Sequence, residues 1–73
     1  MGKLPVVSGD AARRAFERAG WELARTKGSH MIMKQEGHRA ILSIPRHRTL
    51  DSGTLRRLVK DADMTVDEFL EYL

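Results

Sequence analysis

The sequence predicts an α+β fold: a three-stranded antiparallel sheet with helices packed on one face, in the order α-β-β-β-α plus a short C-terminal helix. Three observations carry this reading. Apolar residues recur at helical spacing near both ends of the chain, three short strand-like runs fill the middle between glycine-marked breaks, and capping residues bound the helical segments.

The elements follow in order. Ser8 can N-cap a helix in which Ala12, Ala15, Phe16 and Ala19 share one face, and Gly20 stands where a left-handed residue ends a helix. Its outer face sets up two i,i+4 ion pairs, Asp10 with Arg14 and Arg13 with Glu17, and leaves Arg18 free. The runs WELART (21–26) and SHMIMK (29–34) read as strands joined by Lys27-Gly28. The turn QEGH then leads into a third strand, AILSI (40–44), closed by Pro45. After a polar loop over 46–51, Leu55, Leu58, Val59 and Ala62 mark a second helical face, with Arg56, Arg57 and Lys60 opposite. Thr65 and Glu68 make a capping box for a last helix whose Val66, Phe69, Leu70 and Leu73 share a stripe. Three meandering strands need cover on one face only, so the helices are expected there and the other face is left to solvent. Side chains alternate along a strand, which puts His30, Ile32 and Lys34 on the expected open face and Met31 and Met33 in the core.

At 73 residues the chain is expected to form one domain over 1–73, burying roughly 60% of the surface its unfolded form exposes. It holds no cysteine, which excludes a disulfide framework and a thiolate zinc site and points to the cytoplasm. Apolar runs of only a few residues exclude a membrane span, and Met1 to Val7 is too short for the core of a signal peptide. Charge is unevenly placed. Residues 1 to 60 hold all 13 lysines and arginines against five carboxylates, a net +8, while residues 61 to 73 hold the other five carboxylates and no base, a net −5. A basic body spread over several elements suits a phosphate-binding surface, and equally a solvated surface that happens to be basic.

The histidines His30, His38 and His47 are the side chains whose type titrates near neutrality. Their spacings match no metal-ligand motif such as H-E-x-x-H, and no cofactor is expected. There is also no nucleophile elbow, Gly-rich phosphate loop or Cys-His pair. His30 sits in KGSHMIMK, directly after a Gly-Ser turn; the tetrad GSHM also occurs as an expression-tag scar, but here it lies mid-chain with patterned sequence on both sides. A histidine beside a basic surface has the minimal parts for cutting RNA. The ribose 2′-hydroxyl can attack its own phosphate once a base removes its proton, and cations can stabilise the phosphorane. From these residues alone a structural or plain surface role for His30 stays open beside catalysis.

Taken together, VSGDAARRAFERAGWELARTKGSHMI, then SIPRH, then SGTLRRLVKDADMTVDEFL, in that order and spacing, resemble the HicA toxin family of HicA-HicB toxin-antitoxin systems. The resemblance covers essentially the whole chain. It implies a double-stranded-RNA-binding-domain-like fold and a metal-independent ribonuclease that cleaves mRNA. The family's essential histidine falls on His30, Gly28 looks like the turn glycine that positions it, and Ser29 carries over as part of the motif. The P-x-H motif falls on His47, which the resemblance leaves as a second proton carrier, an RNA contact or a loop-capping residue. Arg46, Lys34 and Lys27 are our own candidates for phosphate contacts. The implied partners are mRNA and a HicB-type antitoxin, with no membrane and no DNA binding by the toxin itself. Family members tend to carry glycine after the second helix, where this chain has Ala62-Asp63-Met64, so that helix end is expected to be shaped differently. Two other readings stay beside the toxin ribonuclease: a non-catalytic RNA-binding module, which explains the charge but not the G-S-H motif, and a protein-interaction domain.

Overall fold

The structure, a computed structural model, describes residues 3–73, so the start of the Met1 to Val7 segment lies outside the described residues. The elements are α1 (Gly9–Arg18), β1 (Glu22–Lys27), β2 (His30–Lys34), β3 (Leu42–Pro45), α2 (Ser52–Asp61) and α3 (Val66–Glu71). The three strands form one antiparallel sheet in the order β1-β2-β3. This is the expected α+β architecture.

One face of the sheet is the core face. Met31, Met33, Leu42 and Ile44 are fully buried there, together with Phe16 of α1, Leu55 of α2 and Phe69 of α3. The Phe16 and Phe69 rings lie 5.0 Å apart and tilted, which locks the first and last helices together. Burying one side chain of this size is worth about 1.5–3 kcal/mol, and Trp21, Leu50, Leu58 and Val59 extend the same core. On the other face His30, Lys34 and Ser43 are exposed and Ile32 is half-buried, as strand parity requires.

Local chemistry sets the helix ends. The Ser8 hydroxyl accepts the Ala11 N–H at 3.0 Å, starting α1. At its other end the Trp21 N–H reaches the Phe16 carbonyl at 2.9 Å and the Gly20 N–H reaches Glu17 at 3.0 Å, a Schellman closure with Gly20 at φ +104°. Trp21 therefore ends the helix and is buried at 3% exposure instead of opening the first strand. The second helix closes in the same way. Met64 N–H donates to Val59, Asp63 N–H donates to Lys60, and Asp63 takes φ +62°. The expectation that an aspartate would reshape this end is thus not met, because Asp63 adopts the conformation a glycine would take. Asp51 N-caps α2, accepting the Thr54 N–H at 2.8 Å and the Thr54 hydroxyl at 3.0 Å. The backbone bond first, and then the hydroxyl bond, hold its carboxyl below the usual carboxylate range. Thr65 and Glu68 form the expected capping box, but of the last stripe only Phe69 is buried, and Leu73 lies beyond α3 and 45% exposed.

Three other details differ from expectation. The hairpin turn is Gly28-Ser29 rather than Lys27-Gly28, because Lys27 pairs with His30. The third strand begins at Leu42 and includes Pro45, since the His38 imidazole Nδ1 takes the Ala40 N–H at 3.2 Å and keeps that residue in the preceding loop. Arg13 pairs with Glu17 at 2.7 Å as expected, whereas Asp10 turns from Arg14 to the Arg46 guanidinium, 3.6 Å away.

Candidate active site on the open sheet face

His30 is the first residue of β2, and its cross-strand neighbours are Lys27 on β1 and Pro45 on β3. Cross-strand partners share a face, so His30 and Lys27 project together from the open side. Gly28 carries φ +60° and Ser29 does not, the pattern of a type II′ hairpin turn with glycine at its first position. That two-residue turn brings Lys27 directly opposite His30.

The loop after β3 is fastened to this turn and to α1. The Arg46 N–H donates to the Ser29 carbonyl at 2.6 Å, continuing the β2–β3 pairing past Pro45, which has no N–H to give. The Gly9 N–H, in the first turn of α1, donates to the His47 carbonyl at 2.9 Å, and the Leu50 N–H donates to Val7 at 2.8 Å. Gly9 is buried against this loop: a Cβ there would overlap the Pro45 carbonyl oxygen and stand 3.2 Å from the Arg46 Cα. The glycine is needed for close approach rather than for an unusual φ. Residues 45 to 47 are therefore held between the hairpin turn and a helix start.

The structure sorts the nominated residues. Lys27, Gly28, Ser29, His30 and the backbone of Arg46 come together at one end of the open face. Lys34 shares the face but sits four residues along the strand, about 13 Å from His30. The Arg46 side chain leans toward Asp10. His47 is exposed, and it is its backbone carbonyl rather than its ring that fastens the loop. The loop-capping histidine is His38, whose ring also lies 4.9 Å from Trp21. Among the described residues the His30 and His47 side chains enter no hydrogen bond or ion pair with the protein. Their ring nitrogens are free to meet a ligand.

Arg25 belongs to this face and escapes a strict alternation reading. Leu23 pairs with core-facing Met33, and simple alternation would then send Arg25 and Lys27 toward the helices. Instead Ala24 is bulged out of the ladder, and the next pairs are Arg25 with Ile32 and Lys27 with His30. The extra residue returns both cations to the open side. A signal for it was present, since Trp21, Leu23, Arg25 and Lys27 cannot all share a core face without burying two charges. Among the described residues of β1 and β2, the open face thus carries Arg25, Lys27 and Lys34 against one carboxylate, Glu22, which stands opposite Lys34.

Neither of two surface grooves includes His30. One of about 340 Å³ runs between α2 and the start of α3, past Arg56, Lys60 and Asp63, and one of about 300 Å³ runs between β3 and α2, past Ile41 and Arg57. His30 stands on an open surface, which suits an extended polymer better than an enclosed small molecule. Among the described residues no three His, Asp or Glu side chains gather as a cation site would need, and no helix is long and apolar enough to cross a membrane.

No curated protein matches the chain. The sequence model of one family, described as the HicA toxin of bacterial toxin-antitoxin systems, matches residues 9–64, from the Gly9 contact through the hairpin and His30 to the end of α2. With most of its length matched, including every element that forms the open face, this chain belongs to the HicA family: it is the toxin of a toxin-antitoxin system, with an antitoxin for a partner.

Proposed function

We propose that the protein is a metal-independent endoribonuclease that cleaves mRNA and that His30 is its catalytic residue. One observation carries the reading: His30 stands exposed on the open sheet face and directly opposite a lysine, at the head of a strand set by a tight glycine turn. In this mechanism the imidazole of His30 takes the proton from a ribose 2′-hydroxyl. The 2′-oxygen then bonds to the adjacent phosphorus, the bond from phosphorus to the 5′-oxygen breaks, and the leaving oxygen receives a proton from the imidazolium or from water. General-base help of this kind is worth about 10²–10⁴-fold. Lys27 supplies positive charge where the phosphorane develops negative charge. His47, at the far side of the fastened loop, is an RNA contact or second proton carrier, Arg46 and Lys34 contact phosphates, and Gly28 and Ser29 set the turn.

The basic open face would also serve a non-catalytic RNA-binding module, and product chemistry separates the two. Incubated with RNA in EDTA, the protein should leave 2′,3′-cyclic phosphate and 5′-hydroxyl ends, and DNA, which lacks the attacking hydroxyl, should stay intact. Ends bearing 5′-phosphate would overturn the transesterification, and intact RNA would leave binding alone.

The antitoxin is of the HicB type. An inhibitor presenting carboxylates to the basic face would be steered there electrostatically and would cover His30. Co-expression with the protein encoded next to it should yield a complex that no longer cleaves, with a raised melting temperature by mass action.

A further inference from the structure

The bulge in β1 decides which charges accompany His30. We propose that Arg25 and Lys27 form a two-cation row that holds consecutive phosphates of a single RNA strand beside His30, with Lys27 on the phosphate that is cut and Arg25 on its neighbour. The proposal rests on the ribonuclease reading and adds to it the course of the binding track along β1 and a residue, Arg25, outside the G-S-H motif.

Four observations support it. Residues two apart on one face of a strand are separated by about 6.5 Å, close to the spacing of successive phosphates in an extended strand. Arg25 and Lys27 are such a pair only because Ala24 is bulged out; they face Ile32 and His30 across the ladder. All six β1 residues are exposed, and among the described residues neither Arg25 nor Lys27 enters an ion pair, so both charges are available to a ligand. Finally, the face offers cations but no aromatic platform. Phe16, Trp21 and Phe69 are buried, Tyr72 follows α3, and the side chain across the ladder from Arg25 is the aliphatic Ile32. Such a surface grips phosphate and sugar rather than stacking bases, and it binds with little base preference outside the cut site.

The test uses the full chain carrying His30→Ala, so that RNA is bound and not cut, and a short fluorescent single-stranded RNA as the probe. Affinity is measured across a salt series for this protein and for the same protein with Arg25→Gln, Lys27→Gln or, as a control on the outer face of α1, Arg14→Gln. Each phosphate contact on a single strand contributes about 0.7 to the log-log salt slope, so Arg25→Gln and Lys27→Gln should each flatten it by about that amount and Arg14→Gln should not. In the chain with His30 intact, Arg25→Gln should raise KM and leave kcat, whereas Lys27→Gln should lower kcat as well. Circular dichroism should be unchanged in each, since these side chains are exposed. If the parent protein binds with a steep salt slope and Arg25→Gln leaves it unaltered, or if Arg14→Gln flattens it equally, the two-cation row is wrong while the ribonuclease reading stands. Absent or salt-independent RNA binding by the parent would overturn both.

Discussion

The backbone N–H of Arg46 donates to the Ser29 carbonyl at 2.6 Å, tying the residue that follows β3 to the residue that precedes His30. Through this bond the hairpin turn, the loop and the start of α1 act as one support beneath the histidine. Gly28 carries the left-handed backbone of that support. Its φ of +60° is costly for any residue with a side chain, although nothing lies within 4 Å of the space a Cβ would fill. Gly28→Ala should therefore destabilise the fold by about 1–3 kcal/mol through backbone strain alone. Urea denaturation checks this, and an unchanged midpoint would rule out the type II′ turn.

Gly9→Ala tests the opposite end of the support. Helix propensity favours alanine by up to about 1 kcal/mol, but the new methyl would collide with the Pro45 carbonyl, and overpacking against backbone costs about 1–3 kcal/mol. The collision should win, lowering the urea midpoint. A stabilised Gly9→Ala protein would mean that α1 does not press on the loop.

Asp51 gives a pH signature. Its carboxyl is held low by the Thr54 backbone N–H and hydroxyl, so its contribution to stability is present above the carboxylate's unfolded pKa and fades as the pH falls through the lower folded value. Asp51→Ala should lower the melting temperature at neutral pH, and the gap from wild type should narrow as the pH drops below about 4. A gap independent of pH would assign the loss to something other than the charged cap.

Much of this architecture was legible because local chemistry and packing agree. Ser8, Gly20 and the Thr65–Glu68 box mark helix ends that the structure reproduces, and the alternation of His30, Ile32 and Lys34 with Met31 and Met33 placed the histidine on the correct face. The turn shifted by one residue because glycine spacing alone does not say which two residues of Lys27-Gly28-Ser29 form the turn; the register that pairs Lys27 with His30 does. Arg25 was missed because a bulge breaks the period on which alternation depends. Likewise no pattern in the sequence announces that Asp10 leaves Arg14 for Arg46 across the fold, or that the loop-capping ring belongs to His38 instead of His47.

The most direct test of the central claim is RNA cleavage in EDTA by wild type, His30→Ala and His47→Ala side by side, each with its circular dichroism spectrum. Because His30 is exposed and supports no packing, His30→Ala should keep the native spectrum while losing cleavage by at least about 10²-fold, the smaller end of what a general base supplies, and His47→Ala should lose less. A natively folded His30→Ala protein that cuts at the wild-type rate would contradict the account.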